Sequence, residues 1–132
     1  MTPTVGQKVT EEFTVSETTL NAFGTASTDY NPVHFDEAYA SQTPFHGRIA
    51  HGMLTAAFVS AVLGNTLPGP GTIYLSQTLK FRAPVRIGDV VRVEVEVLDY
   101  DEHRRGTVLS TRAFVGQTLV LDGEAKTIAP ES

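Results

Sequence analysis

The chain has no cysteine. Disulfides, thiolate catalysis and zinc sites built on Cys ligands are therefore excluded, and a reducing compartment fits. No apolar run approaches the ~20 residues a membrane span requires. The opening MTPTVGQKVTEEF has no apolar signal core and does not read as a secretory leader. The cytoplasm is the expected location. Positive charge is not in excess: the net charge is −5, which argues against a broad nucleic-acid or anionic-membrane surface. Internal repeats, low-complexity tracts and long linkers are absent, as are G-x-S-x-G and H-E-x-x-H. What is present is 132 residues, 41% apolar and 19% charged. That is enough for one hydrophobic core, and it predicts a single domain over 1–132.

The pattern along the chain divides into a helical half and a strand half. Gln7 to Val15 reads as a strand or extended arm. Ser16 is a good N-cap, with Glu17 in the first turn of a helix that carries Leu20, Phe23 and Gly24 and fades near Ser27. The block from Asp29 to Arg48 is turn-rich, and Asp36 suits the cap of a short helix through Ala40. HGMLTAAFVSAVLG, 51–64, is apolar on nearly every side, which predicts a buried helix with Gly64 as its C′ residue. LPGPG, 67–71, stops it. Period two then takes over. Ile73 to Phe81, Val90 to Tyr100, Thr107 to Val115 and Gln117 to Ile128 read as strands, with Val91, Val93, Val95 and Val97 on one face. The economical packing is α+β, an antiparallel sheet curved around one apolar helix. Free sheet edges make edge-to-edge dimerisation a natural expectation.

TDYNPVHFD, 28–36, carries the first candidate chemistry. Pro32 fixes its own φ and restricts Asn31, and Asn31 can close a turn with its side chain. Such a stiff turn can aim Asp29 and His34 at one water as an acid/base pair. Spacing alone favours the plainer alternative, a turn with two polar decorations. A metal site drawn from His34, Asp36, His46 and His51 has only a weak H-x-D signal. At His51-Gly52 a helix begins, and its first N–H groups lack intrahelical partners. They can hold an anion or a developing oxyanion; alternatively, Gly52 serves only close packing. Ser60 reads as a small core residue bonded back to a helix carbonyl, or as a hydroxyl facing the cleft. Lys80, Arg82, Arg86 and Arg92 read either as a solvated strand face or as an anion site.

Three blocks taken together, STDYNPVHFD, IAHGML and LKFRAPVRIGD, resemble the MaoC-like (R)-specific enoyl-CoA hydratases. The resemblance covers nearly the whole chain, and D-x-N-P-x-H matches at Asp29, Asn31, Pro32 and His34, with Ala40 at a small-residue position beyond. Thr28 departs from the glycine found in many members. The resemblance reverses the weighting of the Asp/His pair. It implies the hotdog fold, and reversible hydration of a trans-2-enoyl-CoA to the (R)-3-hydroxyacyl-CoA. It casts Asp29 as the base on a water that His34 orients, and the Gly52 N–H as the oxyanion hole. His34 is also a candidate donor of the proton to Cα. Asn31 supports the loop and the substrate, Ser60 supports the site, and His51 is a candidate substrate-binding residue. Leu63 lines the acyl pocket, and Lys80 and Arg82 are candidates for the CoA phosphates. No cofactor or metal is implied, CoA being part of the substrate. A homodimer or dimer of dimers is expected, with a role in fatty-acid metabolism such as feeding polyhydroxyalkanoate synthesis. Rival readings are a dehydratase acting on acyl carrier protein, a hotdog thioesterase, and a non-catalytic acyl-thioester-binding subunit.

Overall fold

Alternation of apolar and polar residues in the C-terminal half produces the expected sheet. A computed structural model describes residues 2–131. Its strands are β1 (Lys8–Thr14), β2 (Ile73–Gln77), β3 (Lys80–Phe81), β4 (Val90–Asp101), β5 (Gly106–Val115) and β6 (Thr118–Ile128). They lie in the order β1-β4-β5-β6-β2, with β3 also on β6, and every pairing is antiparallel. Lys8 faces Glu96 at one end of the first ladder and Thr14 faces Val90 at the other.

Val91, Val93, Val95 and Val97 have no exposed surface, and they point at the same side of the sheet as Leu109, Ala113, Leu121 and Ala125. Against them lies α4 (Gly52–Asn65), contributing Leu54, Phe58, Val59, Val62 and Leu63. The Phe13 and Phe58 rings stack at 4.6 Å and join β1 to the helix. Each fully buried side chain of this size contributes about 1.5–3 kcal/mol, so the sheet–helix seam is the main source of stability. Three shorter helices precede it: α1 (Glu17–Ser27), α2 (Pro32–Phe35) and α3 (Glu37–Ala40). Ser16 Oγ accepts from the Thr19 N–H, and Asp36 Oδ1 from the Tyr39 N–H, as their places before these helices predict.

The structure corrects three expectations. The central helix is not buried all round: Met53, Ala57, Ser60 and Gly64 form an exposed stripe at helical spacing. One curved sheet covers only one side of a helix, and the other side is left as the floor of an open groove. The helix also runs past Gly64 to Asn65, and its cap Thr66 is not left-handed. The strand read over 73–81 is two pieces. A methyl on Gly123 of β6 would lie 1.9 Å from the Thr78 carbonyl oxygen, so the chain closes on β6 there. Thr78 then exchanges hydrogen bonds with Glu124 and leaves the regular ladder.

Thr28, where the sequence departs from the family's glycine, is the C-cap of α1 at φ 61. That is left-handed backbone, uncommon for a β-branched residue and ordinary for glycine. Thr28→Gly is expected to stabilise the fold by about 0.5–1 kcal/mol, after allowing for glycine's larger unfolded-state entropy. A thermal melt reads this as a rise of roughly 2–4 °C; an unchanged or lower midpoint would show the strain to be relieved elsewhere.

Candidate active site

The loop between α1 and α3 is built from side-chain-to-backbone bonds. Ser27 Oγ donates to the Phe23 carbonyl and accepts from the Asp29 N–H. Asp29 Oδ1 accepts from the Asn31 N–H, and Asn31 Oδ1 from the Val33 N–H. With Pro32 at the first helical position, residues 32–35 coil into a short helix where the sequence suggests only a stiff turn. This places Asp29 at the exposed mouth of the loop and turns His34 inward, 8% exposed.

Segment 48–51 receives that histidine. The Ile49 N–H donates to the Val33 carbonyl at 3.2 Å, and Ala50 is fixed to Val85 at 2.7 Å. His34 Nδ1 lies 2.8 Å from the Ile49 carbonyl oxygen. A carbonyl can only accept, so Nδ1 carries the proton and Nε2 is left with its lone pair. Arg48 Nε donates to the His34 carbonyl at 2.7 Å, while its guanidinium makes a two-pronged pair with Glu17 at 2.6 and 3.1 Å. That pair holds the Glu17 carboxyl below its ordinary value. Burial pushes the His34 imidazole below its ordinary pKa. The Ile49 hydrogen bond and the Asp29 charge oppose this, and the neighbouring His51 assists it.

One carboxylate oxygen of Asp29 and one ring nitrogen each of His34 and His51 fall within 4.8 Å of one another. Of the four metal candidates in the sequence, only His34 and His51 meet. Their rings stack with centroids 3.9 Å apart and planes 29° apart, and His51 Nε2 faces the Asp29 carbonyl at 2.9 Å. The lone pairs of stacked imidazoles run side by side instead of converging at the ~2.0–2.1 Å a zinc ion demands. The Asp29 carboxylate and His34 Nε2 remain as hydrogen-bond acceptors, whereas His51 is turned to the Asp29 carbonyl.

Gly52 begins α4 next to these rings, and His51, its N-cap, makes no side-chain cap bond. The Gly52 N–H therefore has no intrahelical acceptor. A cleft of about 400 Å³ opens there, lined by Phe45, Ile49, His51, Gly52, Phe81 and Arg82. A methyl on Gly52 would meet the Phe81 ring at 2.6 Å. Glycine thus allows close packing and also leaves the N–H reachable once the half-exposed Phe81 ring moves.

The remaining candidates scatter. Ser60 lines a separate groove of about 540 Å³ with Phe23, Met53, Ala57, Tyr74 and Leu79, so it is not a core residue. Leu63 is 1% exposed and lies within the core. His51, at 2% exposure, packs behind His34. The basic run does not form one patch. Lys80 lies on the outer face of the sheet with Glu94, Glu96 and Arg112. Arg82 reaches the cleft and also approaches Asp122 at 3.8 Å. Arg86 donates to the Phe45 carbonyl, and Arg92 sits over the Phe114 ring at 4.7 Å. Glu17, Arg48, Ile49 and Phe81 belong to the site's surroundings without any short motif to announce them.

Comparison with known proteins agrees with this architecture. A model of the MaoC like domain matches residues 1–117. A 3-hydroxybutyryl-CoA dehydratase of Methylorubrum extorquens is 50% identical over 117 residues, 89% of this chain and 74% of that protein. An (R)-specific enoyl-CoA hydratase of Rhodospirillum rubrum is 46% identical over 125 residues, 95% of this chain and 87% of its own length. The solved structure of an R-hydratase from Pseudomonas aeruginosa in the unliganded form superposes with a TM-score of 0.92 at 48% identity, covering 98% of this chain and 83% of that one. The sheet-wrapped helix is accordingly the hotdog fold of these R-hydratases. By its sequence, its topology and the loop that holds Asp29 and His34, the chain belongs to the MaoC-like domain family.

Proposed function

We propose that this chain is an (R)-specific enoyl-CoA hydratase, adding water reversibly to a trans-2-enoyl-CoA to give the (R)-3-hydroxyacyl-CoA. The observation that carries the reading is the pair of acceptors on the loop: the Asp29 carboxylate beside a neutral His34 whose only N–H is committed to Ile49. Two acceptors suit the two O–H bonds of one water. The names carried by relatives at 46–50% identity point the same way.

In the proposed reaction the thioester carbonyl accepts from the Gly52 N–H, and the water oxygen attacks Cβ. An O–H bond breaks as the C–O bond forms, and the Asp29/His34 pair takes the proton. Negative charge moves to the thioester oxygen, where one well-placed N–H contributes about 3 kcal/mol. His34 Nε2 carries no proton at rest, so the proton reaching Cα is one the water has first given up. Its return from the same side makes the addition syn. The pair holds that proton jointly, and apparent pKa values would belong to both residues. No metal or cofactor is needed. Arg82, at the cleft, suits a CoA phosphate; Lys80, on the outer face, does not.

A homodimer is part of the same proposal, as is a single domain over 1–132 in the cytoplasm. β2 has β6 on one side only, and Ile73, Leu75, Phe81 and Met53 are each more than half exposed. Pairing β2 with its copy would satisfy that edge and cover the open stripe of α4.

Asp29→Asn and His34→Ala are each expected to lower crotonyl-CoA hydration at least ~100-fold with the circular dichroism unchanged. A near-wild-type rate in either variant would sink the assignment. Faster turnover of carrier-protein thioesters, or release of free CoA, would redirect it. The reaction needs His34 unprotonated, and its folded pKa lies below the ordinary ~6.5. A kcat/KM profile should therefore hold down to pH 6.5 and fall only below it. The same residue's stability contribution is fully present above 6.5 and is lost as pH falls through the folded value, because the unfolded chain then binds more protons. Leu75→Glu should halve the mass seen by sedimentation; a wild-type chain already sedimenting as a monomer contradicts the dimer.

A further inference from the structure

His51 is a buried imidazole that the proposed chemistry does not consume. Its backbone is the N-cap of α4, one residue before the Gly52 N–H. Its Nε2 lies 2.9 Å from the Asp29 carbonyl oxygen, so Nε2 carries the proton and donates it. One ring face lies on His34 at 3.9 Å. Phe23 and Phe35 present edges to it at 5.0 and 5.5 Å, so the ring has no room to rotate away. Its Nδ1 meets no hydrogen-bonding group among the described residues, so the Nε2–H bond to Asp29 is the polar contact that fixes the ring.

We infer that His51 is the positioning residue that holds Asp29 and His34 in fixed relation to the Gly52 N–H. This rests on the hydration reading above and adds a role to it. One residue touches all three parts of the site: the Asp29 main chain through Nε2–H, the His34 ring through stacking, and Gly52 through the peptide bond. Asp29 and His34 share one loop while Gly52 begins α4, and short-range loop bonds alone do not fix the distance between the two segments. The ring does so, and its Nε2–H tautomer is the condition for it. His51 is only 2% exposed, so its removal should disturb the alignment of the water with the enoyl group more than ground-state binding.

His51→Phe keeps the stacked ring and removes the donor, whereas His51→Gln places an amide N–H near the former Nε2. In His51→Phe, kcat for enoyl-CoA hydration is expected to fall roughly 10- to 100-fold with KM within about twofold, as for a small misplacement of reacting groups. His51→Gln should recover a large part of the loss. Nitrogen-15 NMR of the wild-type rings should show His51 protonated at Nε2 and His34 at Nδ1, a measurement that needs no variant to fold. The inference is overturned if His51 is protonated at Nδ1, or if a folded His51→Phe retains wild-type kcat. It is equally overturned if a folded His51→Gln is as slow as His51→Phe. Failure of the wild-type chain to hydrate any enoyl thioester would overturn the functional reading instead, while the ring tautomers would still report on the His51–Asp29 bond.

Discussion

The carbonyl of Ile49 takes the only N–H of His34, and the rest of the site depends on that bond. It fixes the tautomer, and with it which nitrogen keeps a lone pair. It also fixes the ring plane, so that the lone pair has one direction. Burial then favours the neutral form. An imidazole held in this way cannot drift between donor and acceptor roles, which an exposed histidine does freely. The segment that supplies Ile49 is itself anchored at Val85 and Val33, so the geometry is inherited from the sheet side of the molecule.

Electrostatics around this bond are arranged in layers of decreasing burial. Nearest are two buried, stacked imidazoles, where a charge would be poorly solvated. Outside them the Asp29 carboxylate stays in contact with solvent while lending one oxygen to the Asn31 N–H. Farther out, Arg48 ties the His34 carbonyl to Glu17 on α1. An exposed ion pair of this kind contributes little by itself, and its importance lies in joining a third segment to the loop. The helix start at Gly52 supplies the remaining polar group, with a dipole that favours negative charge.

The strands and the central helix were legible because their signals are periodic and local. Val91 to Val97 alternate without interruption, and residues 51–64 are apolar on nearly every side. Asp29, His34 and Gly52 were legible through short blocks that carry their own turn chemistry. Features that depend on distant partners were not. The break at Thr78 is imposed by Gly123 on another strand. Lys80 and Arg82 look equivalent, but Lys80 lines the outer-face groove while Arg82 also reaches the cleft beside Gly52. Arg48 and Ile49 act through bonds to residues 14 and 15 positions away. The open stripe on α4 could not be foreseen either, since a fully apolar helix does not say how many sheets will cover it.

The ladder between β1 and β4 joins the start of the chain to residues far along it: Lys8 meets Glu96. During synthesis the first strand must wait, unpaired, until the residues that complete its ladder have emerged, and non-local pairing of this kind slows folding generally. Its composition, KVTEEFT, suits the wait. Charges and threonines alternate with only two apolar residues, so the orphan strand offers a poor template for a neighbouring chain. The loop that carries Asp29 and His34 follows after α1 and cannot find the sheet side of its clamp until Val85 has been made. The Asp29/His34 cluster of this MaoC-like domain is thus assembled late, and a nascent chain carries its Asp and His long before it can hold them against Ile49 and Gly52.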